Sequence, residues 1–382
     1  MSKSLQLPTG WKKTTLGKVA KFGSGATKPS DISDVNGSEK YPVYGGNGII
    51  GYSSEFNSEG PEIIIGRVGE KCGCVHVSEC ACWVTDNALR IKDRYADIYH
   101  IFFAEALKKA RLENFRAKGG QPLVTQTGIS GVPIILPPLP EQKAIADLLS
   151  TWDEAIEKTE RLIQAKERQK LGELHSRISS HKANSIIGAF AKPVVRKVDK
   201  PEESYVAVGI RSHFKGTFQR LVEDPRTVNM DSLYRVKEND LILNITFAWE
   251  GAIALVKKED EECYVSHRFP TYEIKRSKAE PCFIRQLIMS SRMKYDLSNI
   301  SPGGAGRNRV LNKKDFLKMP IWLPDLEAQK NIGAYLGAID NEIVLLKQLA
   351  DKYKTQKRGL MQKMLTGEWR VKPEIVNQYR EA

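Results

Sequence analysis

Apolar and polar positions divide the chain into four stretches, two of them long helical patterns. From Ile145 the apolar side recurs by fours and threes through Leu149, Trp152, Ile156, Thr159 and Ile163. The same rhythm returns at Ile332, Leu336, Ile339, Ile343, Leu346, Ala350 and Tyr353. That spacing is the seam of a coiled coil, and roughly 35 to 40 residues at 1.5 Å rise give rods about 50 to 60 Å long. Each rod follows a short apolar run, 132–136 or 319–323, and a proline that ends the strand. The other two stretches alternate with a shorter period. Strands are predicted over 62–66, 82–91, 205–210, 240–247 and 253–256, and helices over 98–116 and 281–297.

The two rods are copies. The forty residues from Pro133 match the forty from Pro320 without a gap at an offset of 187, with fifteen identities that include Pro133/Pro320, Gln142/Gln329, Leu149/Leu336, Asp153/Asp340 and Gly172/Gly359. A period this long means two copies of a domain plus its helix, since solenoid repeats run to about 20 to 50 residues. The predicted fold is α+β: a pseudo-two-fold tandem duplication of a strand-rich globular domain, each copy followed by a long helix. The segments are 1–135 and 183–322 for the globular parts, 136–182 and 323–370 for the helical ones, and 371–382 for a tail. Neither apolar stripe can hide alone, and the intervening domain must return the chain, so the helices are expected to pair as an antiparallel coiled coil. The alternative is that each stripe packs on its own globular domain.

Charge then narrows the partner. Lys plus Arg outnumber Asp plus Glu by 59 to 46, a net charge of +13, and the excess over the four segments is +4, 0, +7 and +2. Most of it lies in the two strand-rich segments, which favours a polyanion such as nucleic acid. No stretch approaches the eighteen or so apolar residues that cross a bilayer, and residues 1–10 lack the apolar core of a signal peptide, so a cytoplasmic location is expected and no membrane partner.

Particular residues resemble the specificity subunits of type I restriction-modification systems. They are LPTGWKKTTLGKVAKFGSG (7–25), IIIGRVGEKCGCV with WVTDNALRI (63–91), and PLPEQKAIADLLSTWDEAI (138–156) with its second copy. Two departures stand out. The second half lacks the GW-x-LG opening and begins instead KPVVRKVDKPEESYVAVGIRSHFKGTF (192–218), and Glu327-Ala328-Gln329 replaces Pro140-Glu141-Gln142. The resemblance implies two target-recognition domains, each reading one half of a split site in double-stranded DNA, and two helical regions that space them. It also implies two modification (methyltransferase) subunits and restriction (nuclease-translocase) subunits as partners. S-adenosylmethionine, ATP and Mg would then belong to those partners, with no cofactor bound by this chain.

The residues themselves give no catalytic site. Neither G-x-x-x-x-G-K-[ST] nor a G-x-G-x-x-G opening a helix is present, and His175 and His181, six apart, match no catalytic arrangement of nucleophile and base. Cys72, Cys74, Cys80 and Cys82 are symmetric about Val77, which on a hairpin would set Cys72 beside Cys82 and Cys74 beside Cys80. Their C-x-C spacing fits tetrahedral zinc poorly, so buried reduced thiols are expected and no metal. For DNA, Asn47, Tyr52, Arg67, Asn87, Lys118 and Gln121 in the first domain fall near loops or strand ends. Arg211, His213, Lys215, Arg268, Arg307, Asn308 and Arg309 do so in the second. Arginine suits guanine, asparagine and glutamine suit adenine, and lysine suits phosphate. Two other classes stay open: a DNA-modifying enzyme acting alone, and a coiled-coil adaptor that binds only proteins. Ile145, Leu149, Trp152, Ile156, Ile163, Ile332, Leu336, Ile339, Ile343 and Leu346 are the candidates for the helical interface.

Overall fold

A computed structural model of the chain describes residues 7–37, 39–94, 97–117, 119, 121–304 and 309–380. It divides into two compact units, residues 1–159 with 349–382, and residues 160–348. Each long helix, Leu139–Leu174 and Leu326–Met364, contributes to both.

In the first unit four strands form an antiparallel sheet in the order Ala20–Ser24, Ala88–Arg94, Glu62–Gly66, Val75–Ser78. The second unit repeats that order with Ala191–Val194, Thr271–Ile274, Leu241–Leu243 and Ile253–Leu255. In both, the first strand pairs with the fourth, the fourth with the second and the second with the third. Two segments with little sequence in common therefore share one topology. Their additions differ: a three-stranded sheet of Gly48–Ser53, Tyr41–Gly45 and Trp83–Val84 in the first unit, and a five-stranded sheet built on the hairpin Tyr205–Ile210/Thr217–Val222 in the second.

Four expected elements are divided or shortened; the helix over 98–116 breaks at Arg111, whose φ is 50°, into His100–Ala110 and a 3-10 turn, Leu112–Phe115. Residues 82–91 break at Thr85–Asn87 into Trp83–Val84 and Ala88–Arg94, because Trp83–Val84 leaves the main sheet to pair with Tyr41–Gly45. The helix expected over 281–297 is two, Pro281–Leu287 and Ser291–Asn299, since the Ser290 hydroxyl accepts from Met293 N and starts a new helix. The strand over 240–247 stops at Leu243, where the chain turns into the loop that carries Trp249.

Both units use their long helices alike. Ile145, Ala146 and Leu149 are buried against Phe102 and Ala106 of the helix His100–Ala110, and against Met364 and Leu365. Leu336, Ile339 and Ile343 are buried with Phe283, Ile284 and Leu287. The apolar seam is thus partly spent on each unit's own short helix. Where the long helices meet, they run antiparallel: within the second unit Lys166, Lys170 and Glu173 contact Glu342, Asp340 and Tyr335 in turn. In the first unit Trp152 stacks edge-on with Tyr353 at 5.8 Å.

The starts of the long helices are fastened by one device used twice. The buried amide of Gln142 accepts from Tyr99 N (3.0 Å) and donates to Asp97 O and Pro137 O (2.9 Å each). Gln329 accepts from Glu280 N (2.9 Å) and donates to Lys278 O (3.1 Å) and Pro324 O (2.7 Å). Each glutamine satisfies three backbone groups that burial would otherwise leave unpaired, which accounts for its identity in the repeat.

Candidate nucleic-acid interface

The loop after the second sheet strand and the loop before the fourth meet in the same way in both units. Arg67 N donates to Asn87 O (3.0 Å), and Val124 N donates to Arg67 O (2.8 Å). In the second unit Ile245 N donates to Arg268 O (3.1 Å), and Leu311 N to Ile245 O (2.9 Å). Val124 and Leu311 are 187 residues apart, and so are Thr125 and Asn312, whose side chains each cap the helix that follows. A common backbone junction therefore presents different side chains.

In the first unit the junction is tight enough to need glycine. A Cβ on Gly66 would lie 2.1 Å from Gly46 O, and one on Gly46 would lie 2.8 Å from Val68 O and 3.0 Å from Asn87 O. This crossing brings the exposed Asn47 turn to the loops of Arg67 and Asn87. Arg67 is half-buried, with Nη1 donating to Ser24 Oγ at 3.1 Å and Asp86 O at 3.4 Å, which aims the guanidinium while its other donors have no hydrogen bond among the described residues. Gln121 is exposed beside Pro122, whose carbonyl accepts from Gly69 N. Tyr52 lies farther along the hairpin, with its backbone paired to Ser33, and Lys118 lies outside the described residues.

The second unit gathers His213, Arg268 and Arg309 around the loop 244–251. His213 and Phe214 have left-handed backbones, φ 61° and 57°, and dock by His213 N to Glu250 O (2.7 Å) and Phe214 N to Gly251 O (3.0 Å). That docking leaves the His213 and Lys215 side chains exposed at the hairpin tip. Arg268 is exposed, and its Nη1 lies 3.5 Å from Thr246 Oγ1. Two arginines serve the scaffold. Arg309 spends its fork on Ser301 O, Ser298 O and Ser298 Oγ, and stacks over Trp249 at 4.8 Å; Arg211 donates to Thr217 O and stacks on Phe218. Arg307 and Asn308 lie outside the described residues.

Trp249 and Ser24 are neighbours of these sites that residue type alone did not single out. Trp249 carried a usable signal, an aromatic in the loop after a buried strand. Ser24 carried none, because its role exists only through the pairing of distant strands.

The expected cysteine hairpin does not form. Val75–Ser78 pairs with Glu62–Gly66, and Cys82 pairs with Ser58, so Cys72 and Cys74 are not registered against Cys82 and Cys80. Cys72 and Cys82 are buried and Cys80 is exposed; burial pushes the Cys82 thiol up to about 11. Cys74 Sγ lies 3.2 Å from His76 Nε2, where burial raises the thiol and lowers the imidazole, so both sit neutral.

The chain as a whole is similar to known proteins in sequence and in fold. A family profile described as the type I restriction modification DNA specificity domain matches residues 8–167 and again 201–354. The type I restriction enzyme MjaVIII specificity subunit of Methanocaldococcus jannaschii is 27% identical over 314 residues, covering 74% of this chain and 73% of that protein. The EcoprrI specificity subunit of Escherichia coli is 28% identical over 144 residues, 37% of this chain and 36% of that one. In fold, the crystal structure of a type I restriction-modification S subunit from M. genitalium superimposes with a TM-score of 0.63 at 16% identity, covering 96% of this chain and 99% of the other. No described helix is long and apolar enough to cross a membrane.

Proposed function

The chain belongs to the type I restriction modification DNA specificity family and is a specificity subunit with two DNA-recognition regions, and we propose that each of its two loop junctions reads one half of a split DNA site. The observation that carries this reading is the shared backbone junction with divergent side chains. Arg67, Asn87, Asn47 and Gln121 surround it in the first unit, and Arg268, His213 and Lys215 in the second. Arg67 and Arg268 would read guanine edges, the amides adenine, and Lys215 a phosphate.

In the same reading the chain is not itself catalytic. Methyl transfer with S-adenosylmethionine, and ATP- and Mg-dependent cleavage, fall to modification and restriction subunits that it positions on double-stranded DNA. Exposed apolar side chains on the long helices, among them Leu162, Leu171 and Leu345, offer contact area for such subunits.

The test uses the chain reconstituted with a methyltransferase partner and maps methylated sites. Asn87→Ala should relax one half-site only and Arg268→Ala the other, each costing about 1 to 3 kcal/mol of discrimination. Lys215→Ala should instead weaken binding to all sequences and reduce the salt slope by about 0.9. If either junction variant altered both half-sites, modular reading would fall. Methyl incorporation by the purified chain alone would overturn the division of labour.

A further inference from the structure

The hairpin of Tyr41–Gly45 and Gly48–Ser53 is irregular just beside the first junction. Its register runs Gly45↔Gly48 and Tyr44↔Ile49, then moves to Val43↔Gly51, so Ile50 is an extra residue with no opposite number. A regular strand would alternate between core and solvent, but Gly48–Ser53 runs buried, exposed, exposed, buried, half-buried, buried. The bulge therefore keeps two consecutive isoleucines out of the core, Ile49 50% exposed and Ile50 42% exposed. Bulges of this kind recur next to functional sites, where the extra residue re-aims a side chain.

The two side chains are held in place and left bare. A Cβ on Gly45 would lie 2.9 Å from Ile50 Cγ2, so one edge of Ile50 rests across that backbone and needs a glycine there. Cys74 Sγ lies 3.5 Å from Gly46 O, which ties the turn to the main sheet. The same turn presents Asn47, and its Gly46 crosses the backbone of Val68 and Asn87. Two branched apolar side chains thus stand next to Asn47 in a neighbourhood whose other exposed or half-buried members, Tyr52, Arg67 and Asn87, are polar.

We infer that Ile49 and Ile50 are specificity-determining residues that read the C5-methyl group of thymine in the major groove of one half-site, an inference that rests on the first junction being a DNA-reading site. The chemistry selects that ligand. In the pattern that the four bases present in the major groove, the thymine methyl is the one apolar group; the rest are donors and acceptors, suited to the arginine and the amides already at the junction. An amide bonded to adenine and an isoleucine against the methyl of the paired thymine would read both members of one A·T pair.

Deoxyuridine lacks only that methyl group and supplies the test. The chain reconstituted with a methyltransferase partner is titrated, by fluorescence anisotropy, with duplexes carrying its mapped site in which each thymine of both half-sites is replaced in turn by deoxyuridine. For wild type, the dissociation constant should rise about fourfold at one or two positions of a single half-site, as expected for one buried methyl group. I49A/I50A should bind the all-thymine duplex at least about fourfold more weakly than wild type does and show no further loss with deoxyuridine at those positions. Its profile over the other half-site should be that of wild type, which a general loss of fold would not leave intact. I49V/I50V, which keeps branched side chains, should retain part of the methyl effect. A wild-type profile with no uracil-sensitive thymine in either half-site would overturn the inference. So would a methyl effect that survives in I49A/I50A, as it would if the isoleucines were a wedge between base steps, indifferent to the methyl group. Failure of the junction reading is separate: it shows as Asn87→Ala relaxing neither half-site, whereas the deoxyuridine scan covers both half-sites and needs neither assigned.

Discussion

The polar clusters beside the long helices, built on buried Glu105 and Lys357 in the first unit and on buried Gln286 and Lys170 in the second, show what duplication has kept and what it has released. Counting from the backbone amides held by Gln142 and Gln329, the sixth and ninth residues are Glu105 and Lys108 in the first unit, and Gln286 and Met289 in the second. Glu105 lies 2.6 Å from Lys108 and 3.4 Å from Lys357, which also holds Asp153. Gln286 donates to Asp340 at 2.9 Å, and Lys170 bonds to Asp340 and approaches Met289 Sδ at 3.8 Å. The first cluster has two cations and two carboxylates, the second one of each. Charge balances in both, although two of the residues have changed. The buried member of the exchanged pair is Glu105, and losing its cations would leave an uncompensated buried charge, whereas exchanging carboxylate and cation together leaves none. The glutamine clamps, whose partners are backbone groups, admit no such exchange and are identical.

The comparison breaks most readily at the clamps. Gln142→Ala and Gln329→Ala should each cost about 4 kcal/mol in urea unfolding, because three buried backbone groups lose their partner. Losses that differ by more than twofold would show that the two helix starts are not equivalent.

Next in size are the balanced clusters. Gln286→Glu adds a buried carboxylate beside Asp340 and should cost about 3 kcal/mol. Gln286→Glu with Met289→Lys rebuilds the first unit's arrangement and should recover at least half. No recovery would mean that the clusters are not interchangeable.

A smaller effect is expected where the units differ outright. Glu141 is buried, accepts from Trp11 Nε1 (3.0 Å) and takes both arms of Arg370 (2.9 and 2.7 Å), whereas its repeat partner is Ala328. Glu141→Gln should cost about 2 kcal/mol, and Ala328→Glu should give nothing back; a gain from the latter would reveal a cation able to pair with it.

The smallest effect concerns the first unit's irregular loop. Three donors, Ser53 Oγ, Ser54 N and Ser54 Oγ, hold Asp31 down to about 2. Its folded value lies below the unfolded one of about 3.9, so its contribution is present above pH 4 and is lost as pH falls through 2. Wild type and Asp31→Asn should differ in urea midpoint at pH 4.5 and converge towards pH 2. A constant difference would remove Asp31 as the cause.

The sequence by itself determined the duplication, the order of domain and helix, the seam residues and the basic balance of the strand-rich segments. It could do so because heptad spacing, prolines at strand ends and a fixed offset are local or self-referential signals. It marked Asn47, Arg67, Asn87, His213 and Arg268 by residue type and turn context. Only the tertiary structure decided that Arg211 and Arg309 spend their guanidinium groups on the scaffold, that Cys72 and Cys82 are not a hairpin pair, and that the two divergent segments share one strand order. Each of those depends on which distant backbone carbonyl or strand lies opposite a residue. Pairing partners are chosen by burial summed over a whole sheet, and no short window of sequence contains that sum. The Glu105/Lys108 exchange for Gln286/Met289 is the sharpest instance, since its balance became legible only when two lysines from the far ends of the long helices were seen beside it.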